Sequence, residues 1–322
     1  MTVAQSFQLP LFGSPSTSQI VNVASVPKRS PFRYPGGKTW LVPFVRRWLV
    51  NLPKRPAEFI EPFAGGAIIG LTVAFEQLAE HVTLIELDEE VSAVWNTIIY
   101  GDYEWLANRI VNFDLTTENV EKALFQTDGS TQERAFQTII RNRINRGGIL
   151  APGAGKVKNG ENGKGLKSRW YPETLQKRIL AIGKIRERIT FIEGDGIKYL
   201  TKNANRADAV YFIDPPYTAA GKKAGTRLYT HFELDHEKLF SITETLAGDF
   251  LMTYDNTEGV RQIVNRHSFT VETVAMKSTH HAEMTELLIS RNLHRLGKPE
   301  VIPNSPLTVE SVAIGVGRAT KL

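Results

Sequence analysis

The chain of 322 residues has no cysteine. Disulfides, thiolate metal sites and cysteine nucleophiles are therefore excluded, and the lack fits a reducing, cytoplasmic setting. No apolar run approaches the ~20 residues needed to span a bilayer, so no membrane attachment is expected. The opening residues do not show a basic stretch followed by an apolar one, the pattern of a secretory leader. The dinucleotide fingerprint Gly-x-Gly-x-x-Gly is missing too, which argues against a nicotinamide dehydrogenase. His280-His281 has no further ligands nearby in sequence, so no metal site is expected.

Hydrophobic residues make up 42% of the chain, enough for one large α/β domain with a smaller insertion. The net charge of +5 is modest, but its distribution is uneven. Between Arg141 and Thr190 there are thirteen Lys or Arg against three Glu, an excess of +10 that leaves −5 for the remainder. A surplus of this size reads as a footprint for a phosphate backbone.

Apolar periodicity divides the chain. Residues 1–29 read as an irregular tail and 294–322 as a second one. Strands are predicted at Ala57–Ile60, His81–Ile85, Ile189–Ile192, Ala209–Ile213, Phe250–Met252, Phe269–Val274 and Glu286–Ile289. Helices are predicted at Ala67–Glu80, Glu89–Ile99, from about Gly196, at Asp235–Leu246 and at Gly259–Asn265. The strand–helix alternation argues for a doubly wound sheet built from 30–100 and 190–293. Between them, 101–189 reads as a mostly helical insertion, with helices at Tyr103–Val111, Thr117–Phe125, Thr131–Ile144 and Pro172–Arg188 and a glycine-rich loop in the middle.

The chemistry-bearing residues fall at the ends of those strands, where open α/β sheets hold ligands. Asp214-Pro215-Pro216-Tyr217 follows an apolar strand. Its prolines stiffen the loop and remove two donors, its carboxylate and carbonyls can accept hydrogen bonds, and its ring can stack on a planar base. Glu61 to Ala67, with Phe63-Ala64-Gly65-Gly66 inside it, is a strand-to-helix turn that lets a ligand approach the backbone. It lacks the Gly-Lys-Ser/Thr of a nucleotide loop, so phosphate is not its obvious guest. Glu86, about twenty residues on, stands where such folds place an acid for ribose hydroxyls. Asp88 and its neighbours suit helix capping. Asp195 can accept from an adenine amino group or cap the next helix. Tyr34, in Tyr34-Pro35-Gly36-Gly37-Lys38, can pack on a ligand, and Lys38 can reach a carboxylate. Lys222, Lys223, Arg227, Tyr229 and His231 follow the Asp214 loop, a stretch that reads either as closing over a nucleic acid or as a plain mobile surface loop.

Taken together and in this order, these motifs resemble the Dam-like (D12 class) DNA adenine N6-methyltransferases over residues 30 to 293. The likeness rests on Tyr34 to Lys38, Glu61 to Gly66, Glu86, Asp195 and Asp214 to Tyr217. It implies a Rossmann-like class I methyltransferase sheet that binds S-adenosylmethionine through Tyr34, Lys38, Phe63, Ala64, Gly65, Gly66, Glu86, Asp195 and Asp214. It also implies catalysis by Asp214, Pro215, Pro216 and Tyr217 on an adenine flipped out of double-stranded DNA. The inserted helices would be a target-recognition domain. Arg141, Asn142, Arg143, Asn145, Arg146, Lys156 and Lys158 are the expected DNA contacts, since Arg suits guanine, Asn suits adenine and the remaining groups hold phosphates. The chain departs from many relatives in its Ala64-Gly65-Gly66 arrangement and in Arg141 to Gly148, which leaves the recognition sequence open. A monomer would suffice, and a companion restriction endonuclease is a possible partner. The rival readings are methylation of cytosine N4, RNA or a protein amide, or a DNA-binding relative without catalysis.

Overall fold

The computed structural model describes residues 26–34, 36–125, 129–160, 163–216, 230–231, 234–277 and 283–296. Seven strands form one sheet in the order β3-β2-β1-β4-β5-β7-β6. Five of them run parallel: β1 (Glu58–Glu61), β2 (His81–Glu86), β3 (Ile189–Glu193), β4 (Ala209–Ile213) and β5 (Asp249–Asp255). The other two, β6 (Thr270–Lys277) and β7 (Glu283–Ser290), pair antiparallel, and β7 lies between β5 and β6. The last expected strand, Glu286–Ile289, is the antiparallel one. Only five residues separate β6 from β7, and a parallel crossover needs a dozen or more.

The unbroken apolar runs of the central strands follow from burial on both faces. Phe59, Leu84, Val210 and Phe212 point into one core. Ile60, Ile85, Tyr211 and Ile213 alternate with them and point into a second. The first core is covered by α1 (Val42–Val50), α2 (Ile68–Glu76) and α3 (Glu89–Ile99). The second holds residues of the helices α8 (Gly196–Asn203), α9 (His236–Thr245) and α10 (Glu258–Arg266). Helix α2 ends four residues before the expected Glu80, because Gln77 turns left-handed at φ 54°.

The insertion supplies α4 (Tyr103–Val111), α5 (Thr117–Phe125), α6 (Thr131–Ile144) and α7 (Pro172–Gly183). Here α6 packs on α3, and α7 packs on α4. Phe136, Ile139, Ile140 and Ile179 are fully buried in the same core as Trp95 and Ile98, so these helices enlarge one sheet face. Each such side chain contributes about 1.5–3 kcal/mol. Helix α7 stops at Gly183, where the Tyr103 ring packs against the backbone, and not at Arg188; a short 3-10 turn covers Arg186–Arg188. The strand order reverses between β1 and β4, so their carboxyl ends flank the switch point of the sheet.

Candidate active site

A cavity of about 790 Å³ opens across that switch point. Its floor is the turn after β1. Gly65 adopts φ +47°, and a β-carbon there would come within 2.5 Å of the Tyr34 ring, so only glycine lets the ring lie this close. Trp95 Nε1 donates to the Gly65 carbonyl at 2.9 Å, and Ala64 N donates to the Ile85 carbonyl at 2.8 Å. Glu86 clasps the turn from β2. Its carboxylate accepts from Gly65 N at 2.7 Å, Leu87 N at 2.8 Å and Asp88 N at 2.9 Å. Burial outweighs these bonds and raises the Glu86 pKa to about 6. Asp195 begins α8 by accepting from Ile197 N at 2.8 Å and Lys198 N at 3.3 Å, and it also borders the cavity. Asp88 caps α3 through Glu90 N and Val91 N.

The catalytic candidate Asp214 leaves β4 into the same cavity, with Pro215 and Pro216 beside it. Its Oδ1 accepts from the Thr253 hydroxyl at 2.7 Å and lies 3.0 Å from the Lys38 ammonium. Lys38 does reach a carboxylate, and it belongs to the protein. Its side chain is 4% exposed, and Nζ also donates to the Gly36 carbonyl at 2.9 Å. Burial opposes the charge on Lys38, but the carboxylates of Asp214 and Glu286 prevail and hold its pKa above the usual range. Two acids that sequence reading missed complete this cluster. Asp255 on β5 and Glu286 on β7 are direct cross-strand partners. Burial raises Asp255 to about 6 and Glu286 to about 7. Glu61, which opens the expected turn, is buried under it, accepts from Gly70 N at 2.8 Å and is pushed well above the carboxylate range by burial. Acids within apolar strand sequence were the available signal for Asp255 and Glu286.

The far end of the cavity is basic. Arg33, Arg143, Arg169 and Arg178 line it together with Tyr171. Here several expected DNA contacts need correction. Asn142 is fully buried. It accepts from Arg33 N at 2.9 Å and donates to the carbonyls of Arg33 at 2.8 Å and Gly148 at 2.7 Å. A β-carbon at Gly148, φ +77°, would collide with the Arg33 carbonyl. Asn145 is 8% exposed and donates to the Ile149 carbonyl at 2.8 Å. Arg143 is 4% exposed and donates to the Pro31 carbonyl, yet it still lines the basic end of the cavity. These amides hold the loop in place of reading bases, because the inner face of α6 packs on α3. Arg141 pairs with Glu90 at 2.7 Å. Arg146, Lys156 and Lys158 are exposed, on a loop closed by the antiparallel bridge Asn145–Lys156 and a bond from Arg146 N to the Gly155 carbonyl at 2.9 Å. Tyr217, Pro35, Lys222, Lys223, Arg227, Tyr229 and the His280-His281 pair lie outside the described residues. His231 is described and borders the cavity. Among the described residues no helix is long and apolar enough to cross a membrane.

A sheet of this order, with a cavity spanning the ends of its central parallel strands, is an α/β fold of the Rossmann-like kind. The family of D12 class N6 adenine-specific DNA methyltransferases matches residues 34–279, and the chain belongs to it. No curated protein matches the chain significantly. Among solved structures, it is similar to the rRNA methyltransferase aviRa from Streptomyces viridochromogenes, with 13% identity, TM-score 0.37, and coverage of 87% of this chain and 97% of that one. A methyltransferase from Geobacter sulfurreducens shows 11% identity, TM-score 0.35 and coverage of 80% of each chain. Both likenesses are distant, and the family assignment rests on the motif-bearing match.

Proposed function

We propose that this protein transfers a methyl group from S-adenosylmethionine to N6 of an adenine in double-stranded DNA, taking the base out of the helix to do so. The observation that carries this reading is the opening of Asp214 and Pro215 into the same cavity as the Glu86-clasped glycine turn. The donor set suits the cofactor. Glu86 offers a carboxylate to ribose hydroxyls, and Asp195 has acceptor capacity left for an adenine amino group. Phe63, Ala64, Gly65 and Gly66 bring the backbone close, while Tyr34 and Lys38 border the remaining space. When bound, S-adenosylmethionine supplies a methyl group already activated on a sulfonium.

The chain's own task is then alignment and charge stabilisation. Asp214 and the Pro215 carbonyl accept the two N6 hydrogens, which turns the nitrogen lone pair out of the ring toward the methyl carbon. Tyr217 is assigned to stacking on the base. Flipping costs a few kcal/mol of unstacking. Phosphate contacts to Arg146, Lys156 and Lys158, and to the arginines at the basic end, offset that cost. No carboxylate among the described residues forms an ion pair with Arg33, Arg143 or Arg178, and Arg143 Nε is buried without a partner there. We assign a cytoplasmic setting, a monomer, and a companion endonuclease as a possible partner.

The test is incubation with S-adenosylmethionine and unmethylated DNA, followed by mass spectrometry of the nucleosides. N6-methyladenine is expected. Asp214→Ala should cut its formation by about 10³-fold, with cofactor binding by calorimetry largely kept. N4-methylcytosine in its place would overturn the target base. Equal loss of binding and turnover in a folded Asp214→Ala variant would overturn the division of roles.

A further inference from the structure

The ion pair between Lys38 and Asp214 poses a problem for the proposed reaction. Asp214 has to turn its carboxylate toward the adenine amino group, yet in this structure the ammonium of Lys38 holds it at 3.0 Å. Lys38 is 4% exposed, so it has no water to retreat to. A buried ammonium that loses its partner costs several kcal/mol unless another takes over.

The neighbouring strands supply one. Glu286 on β7 has a side chain 8% exposed, and its Oε2 lies 3.7 Å from Lys38 Nζ. That is beyond hydrogen-bond length, and Oε2 is buried without a hydrogen-bond partner among the described residues. Moving Nζ about 1 Å closer would form a charge-assisted bond of ordinary length. The Gly36 carbonyl, at 2.9 Å, serves as a pivot that the ammonium keeps. Asp255, across from Glu286 on β5, also has one carboxylate oxygen, Oδ2, buried and unpartnered among the described residues. Two acids directly opposite on adjacent strands repel each other, so a cation drawn toward them is stabilised. The groups facing Glu286 are thus Lys38 before α1, Asp214 after β4 and Asp255 on β5.

We propose that Glu286 is a positioning residue that receives the Lys38 ammonium when Asp214 engages the adenine amino group, freeing the catalytic carboxylate. The inference rests on the proposed adenine methylation. Glu286 sits near pKa 7 and has to be ionised to receive Lys38, so the chemical step should quicken as pH rises through neutrality.

The experiment is single-turnover methylation, with the enzyme preloaded with S-adenosylmethionine and in excess over DNA, from pH 5.5 to 8.5. Wild type should show a rising limb centred near neutrality. Glu286→Gln should lose that limb and run about tenfold slower at pH 8, the size of one hydrogen bond to a charged group. Glu286→Asp should recover part of both, which a purely structural defect would not produce. A wild-type profile without the limb overturns the proposal even if Glu286→Gln does not fold. So does Glu286→Gln with the wild-type limb and rate. Absence of N6-methyladenine at every pH would sink the functional reading and this one with it. Methylation without the limb sinks only this one.

Discussion

The two ends of one cavity solve the problem of buried charge in opposite ways. At the catalytic end a single ammonium, Lys38, lies among the carboxylates of Asp214, Asp255 and Glu286. At the far end Arg33, Arg143 and Arg178 gather without a carboxylate ion partner among the described residues. Burial, then the charges of Arg178 and Arg33, lower the Arg143 pKa to about 9, so it stays charged at neutral pH. The first cluster sets its one ammonium against carboxylates of the chain itself. The second is left for an anion from outside, and a polyanionic substrate fits that need.

Removing the central charge of each cluster should sharpen the contrast. Lys38→Met leaves several buried acids uncompensated, and we expect a loss of about 3–5 kcal/mol at pH 8 by urea denaturation. Asp255 and Glu286 titrate near 6 and 7, above their ordinary 3.8 and 4.5. They therefore bind protons in the folded state as pH falls, and the penalty should shrink by pH 5 and grow back as pH rises through 7. A penalty independent of pH would break the comparison at its acidic end.

Arg143→Met should behave in the opposite way. With no acid to strand, its stability should stay within about 1 kcal/mol of wild type. DNA affinity should fall about tenfold and the salt slope shrink by about one phosphate, measured by fluorescence anisotropy at several salt concentrations. Full DNA affinity in Arg143→Met would show that the basic end has no anionic guest.

The smallest effect concerns Glu86, an acid satisfied mainly by backbone N–H groups. Its pKa of about 6 means that, in the proposed cofactor site, Glu86 would stop accepting from ribose as pH drops through 6. Cofactor affinity should weaken roughly threefold to tenfold between pH 7 and 5. Calorimetric titration of Glu86→Gln should show the weaker value throughout, with no slope.

How much of this was legible in the sequence depends on whether a feature is local. Asp214-Pro215-Pro216 and Glu61 to Gly66 could be read because each packs its chemistry into consecutive residues after an apolar strand. Helices α3 to α6 matched their predicted ends because Asp88, Asp102, Thr116 and Ser130 accept from their first turns through side chains and the apolar spacing is regular. The Lys38 cluster could not be read, since residues 38, 214, 255 and 286 meet only through strand order. The reversal of β7 was hidden for the same reason. Asn142 and Asn145 were misread as base contacts because polar composition suggested exposure. Their burial on α6 and at its end was decided by where Ile139, Ile140 and Ile144 had to go.

Asn142 has a practical consequence for engineering. With its amide it ties residue 33, just ahead of the cofactor motif, to residue 148 at the entrance of the exposed basic loop. A recognition loop transplanted from a relative at the apparent insertion limits, 101 and 189, would carry away half of that fastening and loosen Tyr34 and Lys38. Seams placed after Ile149 and before Lys164 would exchange the outer part of the basic loop, Lys156 and Lys158 included, and leave the fastening whole.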